Sequence, residues 1–160
     1  DLRGVALYGV AECVRSERFA RLLRNRDLSG IGRLMRFSHD GDRRWRFAPD
    51  GTARRFVVRT DAATLHRLAR ANADISMQPG RYACSTPAID RIVDVALETN
   101  GVIGAQLAGG GLGGCAMVLV RTESMEPLLD RLSRLADERD GGFGGVHVCH
   151  PVAGAGLLSV

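Results

Sequence analysis

The sequence predicts an α+β fold: an antiparallel sheet with helices packed on one face. Three observations carry that expectation. Ile89, Ile92, Val93, Ala96 and Leu97 fall at i, i+3, i+4, i+7 and i+8, a full amphipathic helical face. Two apolar runs, about 102–108 and 114–121, then flank a glycine cluster and read as paired strands. A further helix starts at Ser124, with Leu128, Leu129, Leu132 and Leu135 turned inward. Helix, hairpin and helix in succession bury their apolar faces best as two packed layers.

The remaining elements follow in order. Residues 3–25 carry a helical pattern, with Leu7, Val10, Ala11, Val14 and Leu22 near one face. A second helix runs from the capping residue Asp27 to His39, with Ile31, Leu34 and Met35 inward. Residues 44–47 and 55–58 flank Pro49-Asp-Gly51 and read as a hairpin with a turn at its tip. A short helix over 61–72 spaces Leu65, Leu68 and Ala69 for burial and stops before Gln78-Pro-Gly80. Ser85 or Thr86 caps the amphipathic helix, Pro87 fits its first turn, and Asn100-Gly101 ends it. Strands near 146–150 and 155–159 close the chain.

Bulk properties fit one domain over 1–160, long enough for a substantial core. No apolar run reaches membrane-spanning length and no signal-peptide pattern opens the chain, so a cytoplasmic protein is expected. All 22 basic residues are arginine, which reads mainly as a compositional bias, although arginine also suits bidentate anion contacts. Cys13, Cys84, Cys115 and Cys149 are widely spaced and read as buried thiols rather than disulfides or metal ligands.

The glycine cluster is the most informative segment. Gly109, Gly110, Gly111, Gly113 and Gly114 crowd one loop, and glycine is the costliest residue to order. Such a loop admits close backbone approach and can aim successive N–H groups at an anion. Gly109-x-Gly111-x-x-Gly114 matches a dinucleotide fingerprint literally, but that motif needs a helix next, and Cys115-Ala-Met-Val-Leu-Val120 has strand composition. A P-loop needs a lysine, which the sequence lacks. A wide hairpin is the remaining reading.

On its flanks the loop gains a resemblance. Gly101-Val-Ile-Gly-Ala-Gln-Leu-Ala-Gly-Gly-Gly-Leu-Gly-Gly-Cys115 resembles the third conserved motif of the GHMP small-molecule kinases, nearest to the galactokinase branch. Gly32-Arg-Leu-Met-Arg-Phe-Ser-His39, Tyr82-Ala-Cys-Ser-Thr-Pro-Ala-Ile-Asp90 and Val146-His-Val-Cys-His-Pro-Val-Ala-Gly-Ala-Gly156 are similar to other blocks of that family, in the same order. The resemblance covers roughly 1–39 and 82–160, leaving about 41–81 as an insertion. It implies a ferredoxin-like plait and the C-terminal portion of an ATP- and Mg-dependent sugar-1-kinase. The phosphate loop, the catalytic carboxylate and most sugar contacts would lie in an N-terminal GHMP domain, its expected partner, so no catalytic residue and no metal ligand is expected here. By position it implies that Gly109, Gly110, Gly111, Gly113 and Gly114 line the nucleotide and sugar cleft, with Ala108 where the family usually has Thr. The alternative is a non-catalytic sugar and nucleotide sensor on the same fold. For Gly113 and Gly114, tight hairpin packing alone is an equal reading.

Other residues promise less. Ser38 and His39 are adjacent on a helix, about 100° apart, and suit a helix-end hydrogen-bonding role better than a base–nucleophile pair. Asp90 suits its helix dipole. Glu12 and Arg15 read as an exposed or interdomain pair. His147 and His150 would face opposite sides of a strand. Arg43, Arg44, Trp45, Arg46, Arg54 and Arg55 mix cations with aromatics, which suits nucleic acid but fits a solvated face or an interdomain contact better.

Overall fold

The computed structural model describes residues 2–137 and 144–151. Its order is α1 (Leu2–Arg24), α2 (Leu28–Asp42), β1 (Trp45–Phe47), β2 (Ala53–Arg55), α3 (Ala62–Arg70), a 3-10 turn at Ile75–Met77, α4 (Pro87–Leu97), β3 (Val102–Ala108), β4 (Cys115–Val120) and α5 (Met125–Asp137), with a second 3-10 turn leading into α5. The fold is mixed α+β. Among the described residues the strands form two separate antiparallel pairs, β1–β2 and β3–β4.

Local chemistry explains the helix starts. The Asp27 carboxylate accepts the Gly30 N–H at 2.8 Å, and Asp61 accepts the Thr64 N–H at 2.8 Å. For α4 the cap is Thr86, whose hydroxyl accepts the Ile89 N–H at 3.3 Å, with Pro87 opening the helix. The core sits where α4 and α5 cover one face of the β3–β4 hairpin. Ile89, Val93 and Ala96 meet Ala105 and Leu107 of β3 and Leu128 and Leu132 of α5. Ala116, Val118 and Val120 join them from β4, as the period of two requires.

The expectation of helices on one face is corrected by α2. Gly104 precedes Ala105 in β3 and therefore faces the other side of the hairpin. There α2 crosses it: a Cβ on Gly104 would lie 2.7 Å from Met35 Sδ and 3.1 Å from Gly32 Cα, and one on Gly32 would run into the Ile103 carbonyl oxygen. Two facing glycines let helix and strand approach this closely.

Further expectations change. In α1 the fully buried residues are Gly4, Ala11 and Arg15, whereas Val10 is exposed and Leu7, Val14 and Leu22 are half-buried. Arg15 is no surface residue: it donates to Ser76 O and Gln78 O at 3.0 and 2.9 Å and also bonds Glu12. In α3 no residue is fully buried, and Ala69 is exposed. The β1–β2 ladder runs from Trp45↔Arg55 to Phe47↔Ala53, shorter than expected, because the tight turn over 48–52 fixes its register. Residues 144–151 form no strand and are exposed, so 146–150 adds none to the sheet and His147 and His150 stand in solvent. The strand expected at 155–159 lies outside the described residues. Of the cysteines, Cys84 is buried, while Cys13, Cys115 and Cys149 are exposed and all four are free. Among the described residues, no helix is long and apolar enough to cross a membrane.

Candidate functional site

The glycine loop joins β3 to β4, and its backbone explains its composition. Gly109, Gly111, Gly113 and Gly114 have φ of +92°, +83°, +136° and +90°, and Leu112 between them has +61°. Side chains avoid this region, so four of the five glycines answer a backbone demand. Around Gly109, Gly110 and Gly113 there is open space where a Cβ would be, and at Gly114 the nearest atom is Ala108 O at 3.5 Å. Close hairpin packing therefore does not explain Gly113 or Gly114. Ala108 sits at the end of β3, opposite Cys115.

Gly111 differs. A Cβ there would lie 2.7 Å from Cys84 Cβ and nearer still to its sulfur. Beside it the Leu112 N–H donates to Cys84 O at 2.7 Å. The loop is thus seated on residue 84 at its middle, with the Leu112 side chain turned out to solvent, 83 % exposed.

Beneath that seat lies a polar chain that the sequence did not reveal. The Cys84 thiol donates to Asp42 Oδ1 at 3.1 Å, and the Tyr8 hydroxyl donates to Asp42 Oδ2 at 2.9 Å. Tyr8 stacks on Tyr82, ring centroids 5.3 Å apart. Burial raises the Asp42 carboxyl above the usual carboxylate range, an effect the Cys84 and Tyr8 bonds oppose. Burial and the neighbouring Asp42 push the Cys84 thiol up to about 12, so it is an inert protonated donor. Burial, then the Asp42 charge, raises Tyr8 as well.

A second support holds the end of β3. His39 is 1 % exposed, and its Nδ1 accepts the Leu107 N–H at 3.2 Å. Burial, then Arg43 and Arg46, drive the imidazole down to about 3, so it is neutral. With Nδ1 accepting, the ring proton sits on Nε2, 3.4 Å from Asp90 Oδ1. This contact is a neutral histidine beside a carboxylate, not an ion pair. His39 lies in the last turn of α2 and hydrogen-bonds there as expected, with the bond buried and directed to β3. Asp90 does more than complement its helix dipole. Its Oδ2 accepts the N–H groups of Arg44 and Trp45 at 3.0 and 2.8 Å, and Asp94 accepts that of Phe47 at 2.8 Å. Burial raises Asp90, against bonds from Ser85, Trp45 and Arg44.

These carboxylates hold β1 on α4, and they engage much of the arginine-rich hairpin. Arg43 bonds Asp94 at 2.6 Å and Asp40 at 3.1 Å; Arg46 bonds Asp40 and lies over the Phe56 ring; Arg55 lies over Trp45. Among the described residues, no cluster of three His, Cys, Asp or Glu side chains could hold a metal.

Known proteins match this sequence. The family described as GHMP kinases C terminal matches residues 53–137, a stretch that takes in part of the segment expected as an insertion. A galactokinase of Streptococcus suis (strain 05ZYH33) is 28 % identical over 107 residues, 67 % of this chain and 27 % of that protein. A galactokinase of Lacticaseibacillus casei is 32 % identical over 71 residues, 44 % of this chain and 18 % of that protein. The human galactokinase is 31 % identical over 77 residues, 48 % of this chain and 19 % of that protein. The chain thus spans about a quarter or less of the length of these relatives.

Proposed function

Because the chain belongs to the GHMP kinase C-terminal family, we propose that it is the C-terminal part of an ATP- and Mg-dependent sugar-1-kinase of the galactokinase kind. Its role is to supply Gly109, Gly110, Gly111, Gly113 and Gly114 as one wall of the nucleotide and sugar cleft, with Ala108 at its edge. A preceding GHMP domain contributes the phosphate loop, the catalytic carboxylate and the magnesium ligands. In the same reading β3 and β4 belong to a ferredoxin-like sheet completed by further strands, and the enzyme is cytoplasmic.

One observation carries this reading. The loop is anchored at its centre, through Gly111 and Leu112 on Cys84, while a Cβ at Gly109, Gly110 or Gly113 would point into open space. A loop of this kind is fixed in place yet leaves backbone free for a ligand. Bound ATP supplies the phosphoryl group; this chain's residues orient and enclose it, which is most of what phosphoryl transfer asks of a protein. The neutral His39 and protonated Cys84 lie below the loop as supports and take no part in proton transfer.

The test is a coupled ADP-release assay on a chain that joins these residues to their preceding domain. Galactose, arabinose, galactosamine, glucuronate and fucose form the panel. Turnover with one sugar is expected, and none from residues 1–160 alone. Silence across the panel, with ATP still bound, favours the sensor reading instead.

A further inference from the structure

A groove of about 400 Å³ opens at the far end of β3 from the glycine loop, between the start of α2 and the ends of the β3–β4 hairpin. Leu28, Val102 and Ile103 line it together with Arg33, Arg36 and Arg121. From Val102 to Ala108 the strand spans about 20 Å at ~3.3 Å per residue, which separates this groove from the glycine loop.

The three arginines differ from those of the β1–β2 hairpin. Arg43 and Arg46 have carboxylate partners, and Arg46 and Arg55 lie over aromatic rings. Among the described residues, none of Arg33, Arg36 and Arg121 forms an ion pair. Arg33 makes one long hydrogen bond, 3.4 Å to the Ser29 hydroxyl, and all three arginines are exposed residues. No acid lines the groove, and Asp27, the residue before Leu28, is engaged in capping Gly30. Three like charges gathered around one concavity repel one another and focus a positive potential there.

We propose that this groove binds a small molecule carrying a phosphate or diphosphate group. Guanidinium forks match phosphate oxygens in pairs, and the groove is lined by Arg33 and Arg36, one turn apart on α2, and by Arg121 after β4. The volume falls within the range of small-molecule sites, about 300–1,000 Å³, so the rest of the ligand lies on Leu28, Val102 and Ile103. The site is independent of the kinase reading, because it needs neither the glycine loop nor a preceding domain.

The test is calorimetric titration of the 160-residue chain with pyrophosphate and with inorganic phosphate, paired with amide NMR shifts. Saturable one-site binding is expected, with shifts at Ser29, Gly101 and Arg121 rather than at Gly109 to Gly114. The R33Q/R36Q/R121Q variant weakens it roughly a hundredfold, and the corresponding lysine triple, which keeps the charge and loses the fork, about tenfold. The hairpin variant R44Q/R54Q/R55Q stays within about twofold, since it also removes three exposed charges without touching the groove. Equal loss in the hairpin variant would overturn the proposal by showing attraction to net charge alone. So would shifts confined to the glycine loop, or no saturation by wild type at about ten millimolar, the weak end of specific affinity.

Discussion

Gly51 and Gly111 share nearly the same positive φ, +82° and +83°, in the loops of the two hairpins. Their surroundings are opposite. Around Gly51 there is nothing within 4 Å of a Cβ, whereas Gly111 is pressed against Cys84. The β1–β2 turn is held by its own atoms: Gly51 N–H to Ala48 O, Ala48 N–H to Thr52 O, and Thr52 N–H to the Asp50 side chain. The glycine loop is held from outside, by residue 84. Equal strain with unequal packing separates what a turn needs from what a docked loop needs.

The largest expected effect breaks that pair apart. Gly51→Ala costs about 1 kcal/mol, the penalty of a left-handed alanine alone. Gly111→Ala adds the clash with Cys84 and costs about 2–4 kcal/mol in total. Gly110→Ala, without a positive φ or a near neighbour, stays within about 0.5 kcal/mol. Urea denaturation of the three variants measures all of this. Equal losses at 51 and 111 would mean that Cys84 gives way and the loop is not seated on it.

A smaller effect probes the second support. His39 titrates at 6.5 unfolded and about 3 folded, so the unfolded chain binds the extra proton between these values. Its contribution to stability is complete above pH 6.5 and is lost as pH falls, at up to ~1.4 kcal/mol per pH unit. Asp42 and Asp90, both raised, act in the opposite sense: the stability they contribute is present at low pH and disappears as pH rises through their folded values. The His39→Asn variant isolates the histidine. Between pH 7 and 5 wild type should lose about 1–2 kcal/mol more than the variant, and parallel curves would show that His39 is not held neutral.

How far the sequence disclosed these supports depends on how local their causes are. The α4 face, the Asp27 cap and β3 are all set by residues within a turn or a strand, and period and capping chemistry expose them directly. The buried face of α1 was misjudged because Arg15 is buried by carbonyls some sixty residues away. Asp90 looked sufficient as a dipole partner, since nothing local says that β1 will present N–H groups to it. The glycine cluster was legible as the bend of a hairpin, which β3 and β4 form, but its seat was not. Cys84, Asp42 and Tyr8 are joined only by the fold, and the arginines around the groove come together only where α2 meets the hairpin.

Tyr8→Phe tests the most remote link between the loop and its seat. It removes one donor from Asp42 and leaves the Cys84 bond in place, so the expected cost is about 1 kcal/mol. Its reach matters more than its size. If the chain Tyr8–Asp42–Cys84 carries the glycine loop, amide exchange at Leu112 should quicken in the variant, while exchange at Gly51 and Thr52 stays as in wild type. An equal increase at both hairpins would mean a general loss of stability and no special link. Unchanged exchange at Leu112 would place the seat in Cys84 alone, held by its backbone carbonyl and by the absence of a side chain at Gly111. Either way, the self-held turn serves as the internal standard against which the docked loop is read.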